Sequence, residues 1–247
     1  MTITEKLENA VAYFRHELRA GSDPLEGSGG AHGEEWDDLP GLTDIWHLKR
    51  EVFETATFER GIVNGKSSVH LSDGILLYLL ARWLEPEAVV EIGTHIGTSS
   101  SYIAAALETT ALLKLKNLDK VDESTLFTCD GSGDKRCIPE RLAHRVVFHG
   151  GHSSQIWPEV IGNVGMMFID GELSPQDLVE ISKRNIRCFV VHDTFPERPG
   201  DKGHKNVEKL RILFPNAEIV GSLPRKEMPW KIDGLPVNYC STIVWRG

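Results

Sequence analysis

The sequence predicts an α/β fold: a doubly wound sheet of seven strands, mostly parallel, with an antiparallel C-terminal strand pair and an N-terminal helical extension. Three observations lead there. Short apolar, β-branched runs recur at 88–92, 126–130, 145–149, 164–170 and 186–193, with helical stretches among them. Strands that alternate with helices pair in parallel through crossovers of one hand. The last two runs, 217–223 and 240–245, are joined by a stretch with prolines at 224, 229 and 236 and no helical period, so they can close antiparallel.

In chain order, Thr2-Ile3-Thr4-Glu5 fits a capping box, and Leu7, Ala10, Val11, Phe14 and Leu18 follow at helical spacing. This amphipathic helix must lay its apolar face on the main domain or on a second subunit, which makes a homodimer through the N-terminal helices one expectation. Residues 21–41 are rich in Gly, Asp, Glu and Pro and read as a loop, either a connector or a lid. Residues 42–63 read as a helix, broken near Thr55-Ala56-Thr57. Ser72 caps a helix carrying Ile75, Leu76, Leu77, Leu79, Leu80, Trp83 and Leu84, which is apolar nearly all round and therefore buried; Pro86 ends it. The helix after residue 170 is marked by Ser174 as cap, Pro175 at its first position and Asp177 in its first turn. Val207, Leu210, Leu213 and Phe214 give another, stopped by Pro215.

The stretch that organises the chain is Ala88-Val89-Val90-Glu91-Ile92 followed by Gly93-Thr94-His95-Ile96-Gly97 and a small-residue helix from about 98 to 116. Strand, glycine turn and helix bring backbone N–H groups and a helix N-terminus up to a ligand. A dinucleotide fingerprint needs a second glycine where His95 stands. With glycines four apart and Glu91 at the strand end, the segment resembles the first motif of class I S-adenosylmethionine-dependent methyltransferases, closest to the O-methyltransferase-like branch. The resemblance covers residues 70–247. It implies a Rossmann-like methyltransferase domain there, with residues 1–69 as an extension, and S-adenosyl-L-methionine as cofactor. Gly93, Thr94 and Gly97 would approach its methionine part. Glu91 would anchor the loop or meet the ammonium, and Thr98 and Ser99 would offer hydroxyls to its carboxylate. Asp130 suits the ribose, because a carboxylate accepts two hydrogen bonds in the geometry of a vicinal diol. His152 and Ser153 would flank the adenine.

Phe168-Ile169-Asp170-Gly171-Glu172 and Val190-Val191-His192-Asp193-Thr194 end adjacent apolar strands with acids. They are similar to a fourth-strand and fifth-strand pattern of one methyltransferase group, except that Leu173 stands where that pattern has His. Asp170, counted among the cofactor contacts as well, converges with Asp193 and His192. These three could hold a divalent cation such as Mg²⁺ that lowers the pKa of an acceptor hydroxyl. Without a metal, His192 could be the general base. Catechol-type O-methyltransferases carry Asp-Asn where this chain has His192-Asp193. The expected reaction is methyl transfer to a hydroxyl of a small-molecule metabolite. The alternatives are an oxidising enzyme on the same fold, as in the cephalosporin-hydroxylase-like group, and a non-catalytic cofactor-binding or partner protein.

Composition narrows the partners. The net charge of −9 and the absence of a Lys/Arg cluster argue against nucleic acid. No apolar run approaches a membrane span, and Met1–Glu5 shows no secretory signal. Cys129, Cys137, Cys188 and Cys240 are far apart, consistent with reduced thiols and a cytoplasmic location.

Overall fold

The computed structural model describes residue 69 and residues 71–116, 123–131, 138–194, 200–221, 231–232, 235–236 and 241–247. The N-terminal helices, the 21–41 loop and a dimer built on them lie outside the described residues.

Helix α1 (Leu71–Leu84) leads into strand β1 (Ala88–Ile92), which is followed by α2 (Thr98–Lys116) and β2 (Thr125–Cys129). Strands β3 (Val146–His149), β4 (Val164–Ile169) and β5 (Cys188–Val191) come next, with α3 (Pro175–Ser182) between the last two. Helix α4 (Lys202–Leu213), β6 (Glu218–Val220), a two-residue hairpin β7 (Lys231–Ile232) and β8 (Leu235–Pro236), and β9 (Thr242–Trp245) complete the order. The main sheet runs β3-β2-β1-β4-β5-β9-β6. All neighbours from β3 to β5 pair in parallel, and β9 is antiparallel to both β5 and β6. The seven-stranded, mostly parallel sheet expected from the sequence is therefore present.

Three details differ from that expectation. The connections into β3 and from β3 to β4 hold short 3₁₀ turns, Glu140–Arg145 and Ser153–Gln155, in their described parts. The fifth strand stops at Val191, so His192 and Asp193 lie beyond it. The proline-rich stretch before β9 contains the small β7–β8 hairpin.

Every residue of β1, β4 and β5 is buried, as a parallel sheet covered on both faces requires. Alternation sorts the side chains. Val89, Met166, Phe168, Cys188 and Val190 face the core with α1 and α2, whereas Val90, Ile92, Met167, Ile169, Phe189 and Val191 face the core with Ile181 of α3 and Leu210 of α4. Helix α1 crosses α2 closely at Gly74, where a Cβ would come within 2.4 Å of the Tyr102 ring. Among the described residues no helix is long and apolar enough to cross a membrane. Cys129 and Cys188 are free, buried thiols that burial pushes up to about 12.

Candidate active site

Register builds the site. Ile92 pairs with Cys129 on one side and Ile169 on the other, Ile169 pairs with Val191, and Cys129 pairs with His149. The next residues, Gly93, Asp130, Asp170, His192 and Gly150, therefore stand along one rim at the carboxyl ends of the parallel strands. β1 has β2 on one side and β4 on the other, so the chain's direction of winding reverses there. Such switch points are where doubly wound sheets open a ligand crevice.

Gly93 sits at the crevice with φ +99°, and a Cβ on it would lie 2.8 Å from the Gly171 nitrogen. Only glycine fits there. The Gly93 and Thr94 N–H groups donate to the Cys129 carbonyl, and the Gly97 N–H to that of Thr94. Gly97 and His95 also take positive φ, at 86° and 47°. The His95 N–H donates to Asp130 Oδ2 at 2.7 Å, joining the glycine turn to the end of β2.

Glu91 shares the face of Val89 and so points toward α2. It is fully buried, and its carboxylate accepts from the Ser99, Ser100 and Thr128 hydroxyls. Burial pushes it up to about 7, against those three hydrogen bonds, which pull it down. Of its two expected roles, the geometry is that of a loop anchor, since both oxygens are occupied within the protein. The Ser99 hydroxyl is correspondingly turned to Glu91, not outward to a ligand carboxylate as expected. Thr94 is bonded side chain to side chain with Thr128 at 2.5 Å. Thr98, the first residue of α2, carries a buried hydroxyl with no partner.

Ser153, expected beside an adenine, has its hydroxyl engaged within the protein. It is buried, and its hydroxyl donates to Asp177 Oδ2 at 2.7 Å. The same carboxylate accepts from Trp157 Nε1 at 2.7 Å and from the Ser174 N–H at 2.8 Å. The capping box of α3 is thus also the anchor of the loop after β3, and Trp157 is core. His152 is exposed, and its Nδ1 accepts from the Ser154 N–H at 3.2 Å.

Asp170, His192 and Asp193 do converge: one ligand atom from each lies within 4.8 Å of the others. His192 Nδ1 is 3.1 Å from Asp170 Oδ1 and 3.4 Å from Asp193 Oδ1. A fourth residue that the sequence reading missed joins them. Lys202 Nζ donates to Asp170 Oδ1 at 2.8 Å and to the Asp170 carbonyl, and lies 3.4 Å from Asp193 Oδ2. Burial alone would raise Asp170, but His192 and Lys202 outweigh it and hold its carboxyl below the usual range. Burial would lower His192, but its bond to Asp170 and the charges of Asp170, Asp73 and Asp193 hold it above its ordinary 6.5. Lys202 is placed by Gly203, where a Cβ would lie 2.2 Å from the His192 carbonyl oxygen. The start of α4 therefore rests directly on the strand-end backbone. The one signal in the sequence was the Lys202-Gly203 pair opening a helix.

Residues 90–184 match the model of a methyltransferase domain family. No curated protein matches the chain. Among solved structures, the O-methyltransferase TomG from Streptomyces achromogenes, involved in tomaymycin synthesis and crystallised with S-adenosylmethionine, is 20% identical with a TM-score of 0.52, over 82% of this chain and 94% of that one. An O-methyltransferase from Bacillus cereus in complex with S-adenosylhomocysteine is 16% identical with a TM-score of 0.51, over 85% and 94%. A methyltransferase from Geobacter sulfurreducens is 17% identical with a TM-score of 0.52, over 80% and 88%. The resemblance drawn from Glu91–Ser99 is borne out by the family match, and the fold is the Rossmann-like fold of class I methyltransferases.

Proposed function

We propose that the chain is an S-adenosylmethionine-dependent methyltransferase acting on a hydroxyl group of a small-molecule metabolite. The observation that carries this reading is the rim at the switch point. It sets the strained glycine turn, an acid at the end of β2 and the Asp170–His192 pair side by side. Two local features fit the cofactor. The Gly93 turn has no room for a side chain, and the buried Thr98 hydroxyl stands without a partner at the N-terminus of α2, where a carboxylate is favoured. When bound, S-adenosylmethionine supplies a methyl group already activated by a sulfonium.

The chain's own residues then have limited tasks. Asp130 receives the ribose hydroxyls. The 93–98 backbone and Thr98 receive the methionine carboxylate. His192, held through Nδ1 by Asp170, would face the acceptor as general base. It would take the proton of the acceptor O–H, and the cofactor, held by the 93–98 turn and Asp130, would supply the methyl group. Alignment and exclusion of water supply most of the rate enhancement in such a transfer.

The reading is tested by calorimetry with S-adenosylhomocysteine, followed by a methyl-donor assay over hydroxylated metabolites. Asp130→Ala should weaken S-adenosylhomocysteine by about 10- to 100-fold, the range for hydrogen bonds to a charged group. Asp130→Asn keeps an acceptor for the His95 N–H and so isolates loss of the charge. Unchanged affinity in both variants would remove Asp130 from the ribose site. Failure of the wild-type chain to bind S-adenosylhomocysteine would end the methyltransferase reading.

A further inference from the structure

We infer that the Lys202 ammonium is a built-in counter-cation that takes the place of a divalent metal ion between the Asp170 and Asp193 carboxylates. The inference deepens the proposed function by assigning the charge at that same site. It rests on that reading only for the chemistry served.

The donor set is the first ground. Asp170 Oδ1 already accepts from His192 Nδ1 at 3.1 Å and from Lys202 Nζ at 2.8 Å. An ammonium has three N–H donors. Here they meet three oxygens: the Asp170 carbonyl, Asp170 Oδ1 and, at 3.4 Å, Asp193 Oδ2. That is how a small hard cation would bridge two strand ends. Mg²⁺ demands oxygen ligands in near-octahedral geometry and keeps several waters. A site with an imidazole on one flank and an ammonium already seated between the carboxylates does not fit it.

The second ground is where the lysine stands. Lys202 is the first residue of α4. A cation in the first turn opposes the helix dipole, which favours anions there. Beyond its N-cap, Asp201, whose side chain makes no capping bond, the first turn of α4 holds no acidic residue, and Lys205 follows at its fourth position. A local rule broken in this way points to a functional constraint. The constraint is visible: Gly203 lets α4 begin in contact with the His192 and Asp193 carbonyls, which fixes Lys202 against the two acids. The ammonium touches both acids while its side chain stays 42% exposed. Lys202 is thus a positioning residue. It offsets the paired negative charge of Asp170 and Asp193, while Asp170 also orients His192.

The test is a titration with Mn²⁺ alone, by calorimetry and electron paramagnetic resonance, on the wild-type chain and on Lys202→Met, Lys202→Gln and Lys202→Arg. The wild type and Lys202→Arg should show no saturable Mn²⁺ binding at millimolar metal. Lys202→Met and Lys202→Gln should gain a site at least about tenfold tighter, and adding Asp170→Asn should abolish it. Micromolar Mn²⁺ binding by the wild type would overturn the inference. So would the absence of any gain in both neutral variants when circular dichroism shows the native fold. S-adenosylhomocysteine affinity, read in parallel, reports on the methyltransferase reading separately, because the Mn²⁺ comparison does not need it.

Discussion

Replacing Glu91 by Gln should change the slope of stability against pH more than it changes stability itself. Glu91 is fully buried and lies at about 7 instead of its ordinary 4.5. Burial is the cause, and the three hydroxyls from Ser99, Ser100 and Thr128 offset only part of it. The folded-state value is raised, so the native state holds this proton more tightly than the unfolded chain does. The resulting stability is fully present below 4.5 and is lost as pH rises through about 7. At about 1.4 kcal/mol per pKa unit, the interval between 4.5 and about 7 corresponds to a decline of about 3 kcal/mol. A glutamine has no proton to lose, so the variant lacks that decline. At pH 5 it should be less stable than the wild type by about 1 kcal/mol, through poorer hydrogen bonding to the three hydroxyls. By pH 8 the wild type has to bury a charge, and the order should reverse. Urea unfolding at half-unit pH intervals, with m-values compared to confirm the same exposed surface, measures the difference. A wild-type-minus-variant difference that stays constant within about 0.5 kcal/mol from pH 5 to 8 would refute the reasoning.

Two further outcomes follow from the same geometry. Asp177→Ala removes the acceptor shared by Ser153, Trp157 Nε1 and the Ser174 N–H, leaving buried donors unpaired; it should lower unfolding free energy by about 3 kcal/mol and quench-shift the Trp157 emission. Asp170→Asn removes the hydrogen bond and charge that most strongly raise His192, so the His192 midpoint in a proton-resolved NMR titration should move to lower pH, and a midpoint that stays put or rises would contradict the pairing.

The parts of the fold that could be read from residue order are those whose cause is local. Ala88–Ile92 is a β-branched run cut off by Gly93, and it is a strand. Ser174, Pro175 and Asp177 spell a capping box, and the helix begins there with both reciprocal bonds formed. The convergence of Asp170, His192 and Asp193 could be read too, because each follows an apolar strand and parallel strands end on one side. What escaped was decided by contacts between segments. Ser153 looked like a loop hydroxyl free for a ligand until its partner, Asp177, arrived from 24 residues away. Ser99 looked like a helix-start donor, but alternation along β1 turns Glu91 toward it. Lys202 escaped because a lysine at a helix start, even one followed by Gly203, reads as an ordinary surface residue. Its role depends on Gly203 letting that helix abut the neighbouring backbone.

Strand β9 has an order-of-synthesis consequence. It sits between β5 and β6, yet it is translated after both. Until Thr242–Trp245 leave the ribosome, Cys188–Val191 present a raw lateral ladder of amides and carbonyls, and Glu218–Val220 have no ladder to join. A nascent chain in that condition is open to pairing with another of its kind. Deleting Thr242–Trp245 would therefore leave the β9 side of β5 permanently open and β6 without its neighbour, and self-association, not a gentle loss of stability, is the failure to expect.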